Sequence, residues 1–315
     1  MLGIHVAKIS KVLESTNVDK DKNVKMKVRK TLFHAIKEEV EELNLTAVQI
    51  YTHGPRNYRA NIMDHDRIGQ YVDEKKLNLI VHGSYVSAGL WNVTEENKGS
   101  KKSKAAVDHL RSQLQTSQRV NACGLVIHVP RKPVKYMVDA FRTSTVRAVI
   151  DEEKVPILLE MMPVKEGKNV DKAYVTPKQV NALVNELDFL NSESWGICVD
   201  TAHLWGGGVD VSKKSDMQSW LDAIESPNMI KLFHLNGSQD DTWNSGRDVH
   251  HIVFGNDDDS FGTTHTLKKA KKTGVYPIIK FCMAHNIPVI CEINRGSEDD
   301  VRASLRLINQ IAELH

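Results

Sequence analysis

The chain has 315 residues, and a prior of about 150 residues per domain predicts two domains. Hydrophobic residues make up 41% and charged residues 26%, which excludes a disordered, collagenous or low-complexity chain. There are 42 basic and 40 acidic residues, so the net charge of +2 provides no global field of the kind that attracts nucleic acid. The 14 histidines are the unusual feature, because neutral imidazole is the commonest metal ligand.

Eight apolar runs recur along the chain, each too short for a helix and too apolar for an exposed strand. They are GIHVA at 3–7, AVQIYT at 47–52, LNLIVHGS at 77–84, GLVIHV at 124–129, PILLEMM at 156–162, GICVDTAH at 196–203, MIKLFHLN at 229–236 and PVICEIN at 288–294. Between them, apolar residues at helical spacing predict amphipathic helices, as in 26–43 and 298–314. Buried strands that alternate with such helices predict right-handed βαβ units.

Eight βαβ-type units close most naturally into one (β/α)₈ TIM barrel. The sequence has no central change of composition and no linker rich in proline, glycine and serine, so we predict a single α/β barrel domain over residues 1–315. Active sites of such barrels lie at the carboxyl ends of the strands. The polar insertions are therefore predicted to form the rim of a site: 95–104, 163–174, 205–218 and 237–266.

Cysteine usage and the amino terminus indicate the compartment. Cys123, Cys198, Cys282 and Cys291 form no C-x-x-C pair and no disulfide framework, so we predict reduced thiols in the core of an intracellular protein. The first residues lack the apolar segment of a secretory signal, and no run reaches the roughly 18 apolar residues of a membrane span. We expect a soluble monomer that does not contact membranes, in the nucleus, the cytoplasm or a virion.

Ionisable residues end six successive apolar runs, from the third to the eighth. Burying one such group without a partner costs several kcal/mol, about 2–7 for a polar group and more for a charge, so a ring of them around one mouth indicates shared cations. Two further pairs lie just beyond strands, Asp200 with His203 and Asp248 with His250. The complete set of candidate ligands is His82, His128, Glu160, Asp200, His203, His234, Asp248, His250 and Glu292.

The ligand types narrow the choice of metal. Imidazole and carboxylate without cysteine suit zinc, and also manganese or iron. Nine ligands, at about three protein ligands for each catalytic ion, suggest three ions. A site with three cations is typical of phosphoester hydrolysis, because together the cations generate hydroxide, hold the phosphate and neutralise the leaving oxygen.

The motifs that contain these residues resemble those of the endonuclease IV family of apurinic/apyrimidinic (AP) endonucleases, in order and in spacing. The similarity runs from GIHV to the last strand. The loop WGGGVDVS at 205–212 is most similar to versions carried by large DNA viruses. The motifs are HGSY at 82–85, the strand-end His128, LLE at 158–160, VDTAH at 199–203, FHLNGS at 233–238, DVHH at 248–251 and CEIN at 291–294.

The resemblance implies a zinc enzyme of base excision repair that hydrolyses the phosphodiester 5′ to an abasic site in duplex DNA. In the family, one glutamate bridges two zincs that share a hydroxide, and Glu160 occupies that position. The resemblance implies three Zn²⁺ ions, with Mn²⁺ in part as an alternative. His82 and His128 would complete the first site; the second would add Asp200, His234 and Glu292, and the third would use His203, Asp248 and His250.

Abasic DNA has to be bent, its damaged nucleotide flipped and the vacated stack filled. The family uses its second and third βα loops for this, which correspond to 52–60 and 84–91, so Arg56 and Tyr85 are the candidates that enter the stack. Basic residues nearby are candidate phosphate contacts. These are Arg59, Lys101, Lys102, Lys104, Arg131 and Lys132.

Two other functions are compatible with parts of the pattern. A sugar isomerase or epimerase on the same barrel would need one divalent metal held by Glu160, Asp200, His234 and Glu292, and would leave the other five ligands unexplained. A DNA-binding barrel without catalysis would not need Glu160.

The remaining histidines are assigned structural or surface positions. His5 is interpreted as structural and His251 as a residue that supports its ligand neighbour. Five others lack a partner pattern and are predicted at the surface: His53, His65, His109, His265 and His285.

Overall fold

The computed structural model describes residues 2–6, 12–14, 27–29, 31–61, 64–165, 172, 174–255, 260–292 and 298–314. Strands β2 and β3, Val12–Glu14 and Lys27–Arg29, form a separate antiparallel pair between β1 and the first helix. The other strands are β1 (Leu2–His5), β4 (Ala47–Tyr51), β5 (Asn78–His82), β6 (Gly124–His128), β7 (Ile157–Glu160), β8 (Trp195–Asp200), β9 (Ile230–His234) and β10 (Val289–Cys291).

Helices follow the barrel strands and cover the outside of the barrel. Short 3₁₀ turns at Tyr85–Asn92, Pro227–Met229 and Asp240–Thr242 supplement them. The α-helices are α1 (Leu32–Leu43), α2 (His65–Lys75), α3 (Lys101–Arg119), α4 (Lys135–Arg142), α5 (Ser144–Glu152), α6 (Pro177–Glu186), α7 (Thr201–Gly206), α8 (Lys214–Asp222), α9 (Leu267–Ala270), α10 (Val275–His285) and α11 (Glu298–Ala312).

The eight main strands close into a parallel barrel in the order β1, β4, β5, β6, β7, β8, β9 and β10, and β10 pairs with β1. This confirms the predicted TIM barrel, and each strand lies within one of the eight apolar runs to within a residue. Local sequence signals set several helix starts. In α6, for example, the Thr176 hydroxyl accepts a hydrogen bond from the backbone N–H of Gln179 in a capping box, and Pro177 is the first residue of the helix. No helix among the described residues is long and apolar enough to cross a membrane.

Side chains fill the barrel in a layer beneath its carboxyl-terminal mouth. Seven of the strands contribute one apolar residue each to this layer: Ala47, Ile80, Val126, Leu158, Cys198, Leu232 and Ile290. The eighth strand contributes Gly3, where a Cβ atom would lie only 2.0 Å from the Ala47 carbonyl oxygen. A second, larger cluster fills the space between barrel and helices. The packed layer closes the barrel from below, so residues two positions further along each strand face the mouth.

Three predictions about local structure are wrong. The helix predicted over 26–43 begins at Leu32, and Val28 lies in strand β3 instead. Of the predicted insertion at 95–104, residues 101–104 form the first turn of α3. Cys123 is exposed, whereas the other three cysteines are buried as predicted. Parts of two other predicted insertions, residues 166–171, 173 and 256–259, lie outside the described residues.

Candidate metal centre at the barrel mouth

The candidate ligands form a ring directly above the apolar layer. In each of six strands the ligand stands two residues after the layer residue, as His82 follows Ile80 and Glu160 follows Leu158. Because side chains of a strand alternate between its two faces, this spacing turns all six toward the barrel axis. The strands therefore bring together the six residues that the sequence placed at strand ends.

The first group consists of His82, His128 and Glu160, whose ligand atoms lie within 4.8 Å of one another. One carboxylate oxygen, Glu160 Oε2, is 3.3 Å from His82 Nε2 and 3.0 Å from His128 Nε2. Glu160 and His82 are buried, and His128 is partly exposed. The group thus lies just below the surface of the mouth, on the side of β5 and β6.

The second group consists of Glu160, Asp200, His234 and Glu292, all buried. His234 Nδ1 lies at its centre, 3.2 Å from Glu160 Oε1, 3.7 Å from Asp200 Oδ2 and 3.4 Å from Glu292 Oε2. Glu160 therefore turns one oxygen to each of the first two groups. This arrangement is the one that a carboxylate bridging two ions requires.

The third group lies above β8 and combines Asp200, His203 and His250. Asp200 caps the short helix α7 by accepting from the His203 amide at 2.9 Å, which fixes both side chains one helical turn apart. Asp248 Oδ1 reaches both histidines, at 3.1 Å from His203 Nε2 and 2.9 Å from His250 Nε2. All three residues predicted for the third ion are thus in mutual contact, and Asp200 joins them to the second group.

Opposite charges dominate the electrostatics of the ring. Burial disfavours the charged imidazole of His203, but the charges of Asp200 and Asp248 outweigh burial and raise its pKa to about 10. Burial acts the same way on His250, where Asp200 and Asp248 raise the pKa to about 9. Burial alone would raise the pKa of Glu160, yet the neighbouring histidines hold that pKa well below its usual value. Glu160 therefore stays ionised and favours positive charge beside it.

The donor atoms fit divalent metal ions. Three buried ligand atoms make no hydrogen bond of good geometry among the described residues, although each lies 2.9–3.1 Å from an atom of another ligand: Glu160 Oε2, His203 Nε2 and His250 Nε2. Buried polar atoms normally have partners, and a shared cation would supply one to each of them. Nitrogen and oxygen donors without a thiolate suit zinc, manganese or iron.

Hydrogen bonds from outside the ring orient the ligands. His82 Nδ1 donates to the Gly83 carbonyl at 2.9 Å and His203 Nδ1 to the Met161 carbonyl at 2.7 Å, so Nε2 of each ring is left for a metal. Asn236 Nδ2 donates to Asp200 Oδ2 at 2.7 Å and to Glu292 Oε2 at 3.2 Å. Such bonds fix ring orientation and carboxylate direction before any metal binds.

Two further side chains lie at the level of the ring, although the sequence did not predict a role for them at the mouth. Gln49 stands two residues after Ala47 on β4, at the same level as the ligands, and is completely buried. His5 occupies the corresponding position on β1, two residues after Gly3, and burial lowers its pKa to about 4. The signal for Gln49 was present in AVQ, because the same spacing of two residues separates layer and ligand in the other strands.

The candidate DNA contacts lie at the rim. Tyr85 is 45% exposed, its ring centroid is 5.2 Å from that of His128, and its amide donates to the Pro55 carbonyl at 2.8 Å. Arg56 is exposed on the neighbouring loop, next to Pro55. Tyr85 therefore borders the opening and packs against the candidate ligand His128, whereas Arg56 is exposed on the adjoining loop.

A cavity of about 460 Å³ opens beside the first group. Its lining includes Tyr85, Trp91, His128, Arg131 and Lys132, so two of the six predicted phosphate contacts border it. Lys132 Nζ donates to Asn92 Oδ1 at 2.7 Å. The other four, Arg59, Lys101, Lys102 and Lys104, are exposed on the loop after β4 and the first turn of α3.

The prediction that five histidines lie at the surface is wrong for two of them. His53 and His109 are 1% and 4% exposed, and their rings meet edge to face at a centroid distance of 5.3 Å. His53 also contacts the hydroxyls of Thr52 and Ser112. These contacts attach the loop after β4 to helix α3, beside the rim. His265 and His285 are exposed, and His65 is partly buried.

Comparison with known proteins places this geometry in a family. The model of the family described as xylose isomerase-like TIM barrel matches residues 38–311. The chain belongs to this family. Among curated relatives, a probable AP endonuclease of African swine fever virus (isolate Warthog/Namibia/Wart80/1980) is 26% identical over 266 residues, or 82% of each chain. A probable endonuclease 4 of Mycoplasma mobile is 26% identical and covers 73% of this chain and 80% of its own.

Solved structures agree on the fold. The structure of AsfvAP:AG has a TM-score of 0.75 at 22% identity and covers 99% of both chains. Endonuclease IV from Thermus thermophilus has a TM-score of 0.65 at 17% identity, covering 99% of this chain and 98% of its own. A D-tagatose 3-epimerase-like protein reaches 0.61 at 13% identity, covering 99% and 97%. The names of the relatives confirm the resemblance to the endonuclease IV family, viral versions included, whereas the structural neighbours include epimerases.

Proposed function

We propose that the protein is a metal-dependent AP endonuclease that hydrolyses the phosphodiester 5′ to abasic sites in duplex DNA. One observation carries the proposal: three groups of ligand atoms lie side by side at the mouth and share Glu160 and Asp200. A single-metal enzyme needs only one such group. Relatives named AP endonuclease and endonuclease 4 support the same reaction.

The nine residues would hold three zinc ions, with manganese in part as an alternative. His82, His128 and Glu160 would hold the first, Glu160 with Asp200, His234 and Glu292 the second, and His203, Asp248 and His250 the third. Bound at such a site, divalent cations activate water at neutral pH and neutralise charge on a phosphoryl group. The protein's own share is to fix the ligands, keep Glu160 and Glu292 ionised, and exclude bulk water with the apolar layer below.

The rim would hold the DNA. Tyr85 lies close enough to His128 to contact a nucleotide held over the first group, and Arg56 is exposed on the adjoining loop. We propose that these two side chains fill the stack that the flipped abasic nucleotide leaves. Arg59, Lys101, Lys102, Lys104, Arg131 and Lys132 would bind backbone phosphates nearby, which positions the duplex without reading its sequence.

The decisive experiment is incision of a duplex oligonucleotide that carries one tetrahydrofuran abasic analogue. Metal-loaded protein should cut the strand once, 5′ to the analogue, and leave the undamaged duplex intact. Failure to cut by protein that holds its full complement of metal would reject the proposal. A monomer and a soluble protein remain expectations, which size-exclusion chromatography with light scattering can test, and a single domain remains an expectation as well.

Sugar isomerisation or epimerisation is the second candidate, and the second group favours it. Glu160, Asp200, His234 and Glu292 alone form a complete site for one divalent ion, and an epimerase-like protein shares the fold. Metal analysis separates the two candidates. About three ions per chain support the endonuclease, because the isomerase uses one ion at about three or four protein ligands.

A further inference from the structure

Gln49 occupies the place in the ring where strand β4 has no ligand. Its side chain is completely buried between His5, His234 and Glu292. The amide nitrogen is 2.6 Å from Glu292 Oε1 and 2.9 Å from His5 Nδ1, and the amide oxygen is 2.8 Å from His234 Nε2. Both N–H groups of the Gln49 amide and one lone pair of its oxygen therefore have protein partners.

The neighbouring groups determine which way the amide points. The ionised carboxylate of Glu292 can only accept hydrogen bonds, so the NH₂ group of Gln49 has to face it. The amide oxygen then faces His234 Nε2, which must carry the proton. An imidazole that binds a metal through one nitrogen carries its proton on the other, so this hydrogen bond assigns Nε2 to Gln49 and leaves Nδ1 as the atom that would bind the metal. That atom is the one at the centre of the second group, between three carboxylates.

His234 differs in this respect from two other histidines of the ring. His82 and His203 donate from Nδ1 to backbone carbonyls and present Nε2 to their groups. His234 presents the opposite nitrogen, and a side chain rather than the backbone holds its proton. The orientation of His234 is therefore the one that a substitution can change without disturbing the backbone.

We propose that Gln49 is a positioning residue of the second metal group, which selects the tautomer of His234 and aims Glu292. By holding Glu292 Oε1, it leaves Oε2 to face His234 Nδ1 at 3.4 Å. The inference rests on the proposed metal centre but not on the proposed substrate. Partners that orient metal ligands contribute about 10- to 100-fold to metal affinity, and we expect a loss in that range when Gln49 is replaced.

The test compares two buried glutamines. Gln49→Met keeps the length of the side chain but removes every hydrogen bond, whereas Gln49→Glu keeps an acceptor for His234 and repels Glu292. Gln113→Met is the matched control: Gln113 is equally buried, and its amide bonds Ser84 and Ser87 instead of a ligand. Zinc affinity of each protein is measured by competition with a chromophoric chelator, and ring ¹⁵N spectra report the tautomer of His234.

In zinc-loaded wild-type protein, the spectra should show His234 protonated at Nε2. Gln49→Met should lose about 10- to 100-fold in affinity for one ion and lose the protected Nε2 proton. Gln49→Glu should keep that proton and still bind zinc more weakly, while Gln113→Met should match wild type in both readouts. The proposal is overturned if Gln49→Met binds zinc like wild type, or if Gln113→Met loses as much affinity. A wild-type protein that binds no zinc overturns the metal centre itself, whatever its activity on DNA.

Discussion

Replacing Glu160 by glutamine tests the metal centre most directly. The two oxygens of Glu160 lie 3.0–3.5 Å from four histidine rings, those of His82, His128, His203 and His234. The substitution keeps the shape and removes the charge. Removing one partner from a buried charged contact costs about 3–5 kcal/mol. Since about 1.4 kcal/mol corresponds to a factor of ten, metal affinity should fall by two to four orders of magnitude.

We expect Glu160→Gln to retain about one ion per chain after dialysis and to cut the abasic analogue at least about 100-fold more slowly, because charge stabilisation of this kind contributes 10² or more to the rate. Metal content is measured by mass spectrometry and cutting by gel. Glu152→Gln is the control, because Glu152 forms an exposed pair with Arg111 that is worth about 0–1 kcal/mol. Full metal content and full cutting by Glu160→Gln would refute the bridging role of Glu160. Unchanged DNA affinity together with intact function would favour the alternative of a DNA-binding barrel without catalysis.

Three further predictions concern the rim residue Tyr85, the coupling of zinc binding to stability, and the buried His53. Tyr85→Ala should weaken the binding of abasic duplex by about 1–3 kcal/mol, the range for aromatic stacking on a base, while the zinc content stays unchanged. Loss of zinc would instead show that Tyr85 has a structural role. Chelation of bound zinc should lower the unfolding temperature, and added zinc should restore it. A ligand present at 100 times its Kd adds about 2.7 kcal/mol to the free energy of unfolding. An unfolding temperature that does not depend on zinc would contradict this prediction. His53 should titrate near its pKa of about 4, since burial, then His109 and His65, disfavour its charge. The contribution of the neutral His53 ring to folding stability is complete above pH 6.5, the usual pKa of histidine, and is lost as the pH falls toward 4. An NMR titration midpoint near 6.5 would contradict this prediction.

The barrel and most of the ring could be predicted because both depend on local patterns. Each strand is an apolar run, and each ligand follows its layer residue by two positions, as Asp200 follows Cys198. A spacing of two is a property of the strand itself, so it survives folding unchanged. Even the contact between His203 and Asp200 is local, because a helix cap fixes it.

Other features depend on contacts between distant segments and could not be predicted. His53 and His109 are 56 positions apart in sequence, and each alone has the pattern of a surface residue. Val28 fits the helical spacing of Leu32 and Ile36, yet pairing with Leu13 places it in a strand. Gln49 escaped notice for a chemical reason: an amide is not a usual zinc ligand, and its role appears only when Glu292 and His234, from two other strands, meet it.

The number of bound ions would decide which substrate the mouth attracts. Four carboxylates line it: Glu160, Asp200, Asp248 and Glu292. One divalent cation in the second group, together with protonated His203 and His250, would leave a net charge of about 0, which does not attract a phosphodiester and suits a neutral sugar. Three divalent cations carry six positive charges against the four carboxylates and leave +2, which attracts the DNA backbone even though the whole chain is nearly neutral. By binding two further cations, the five ligands beyond the second group would make the potential at the mouth positive. Epimerase and endonuclease can share one barrel, and the extra histidines from β5, β6, α7 and the loop after β9 would separate them.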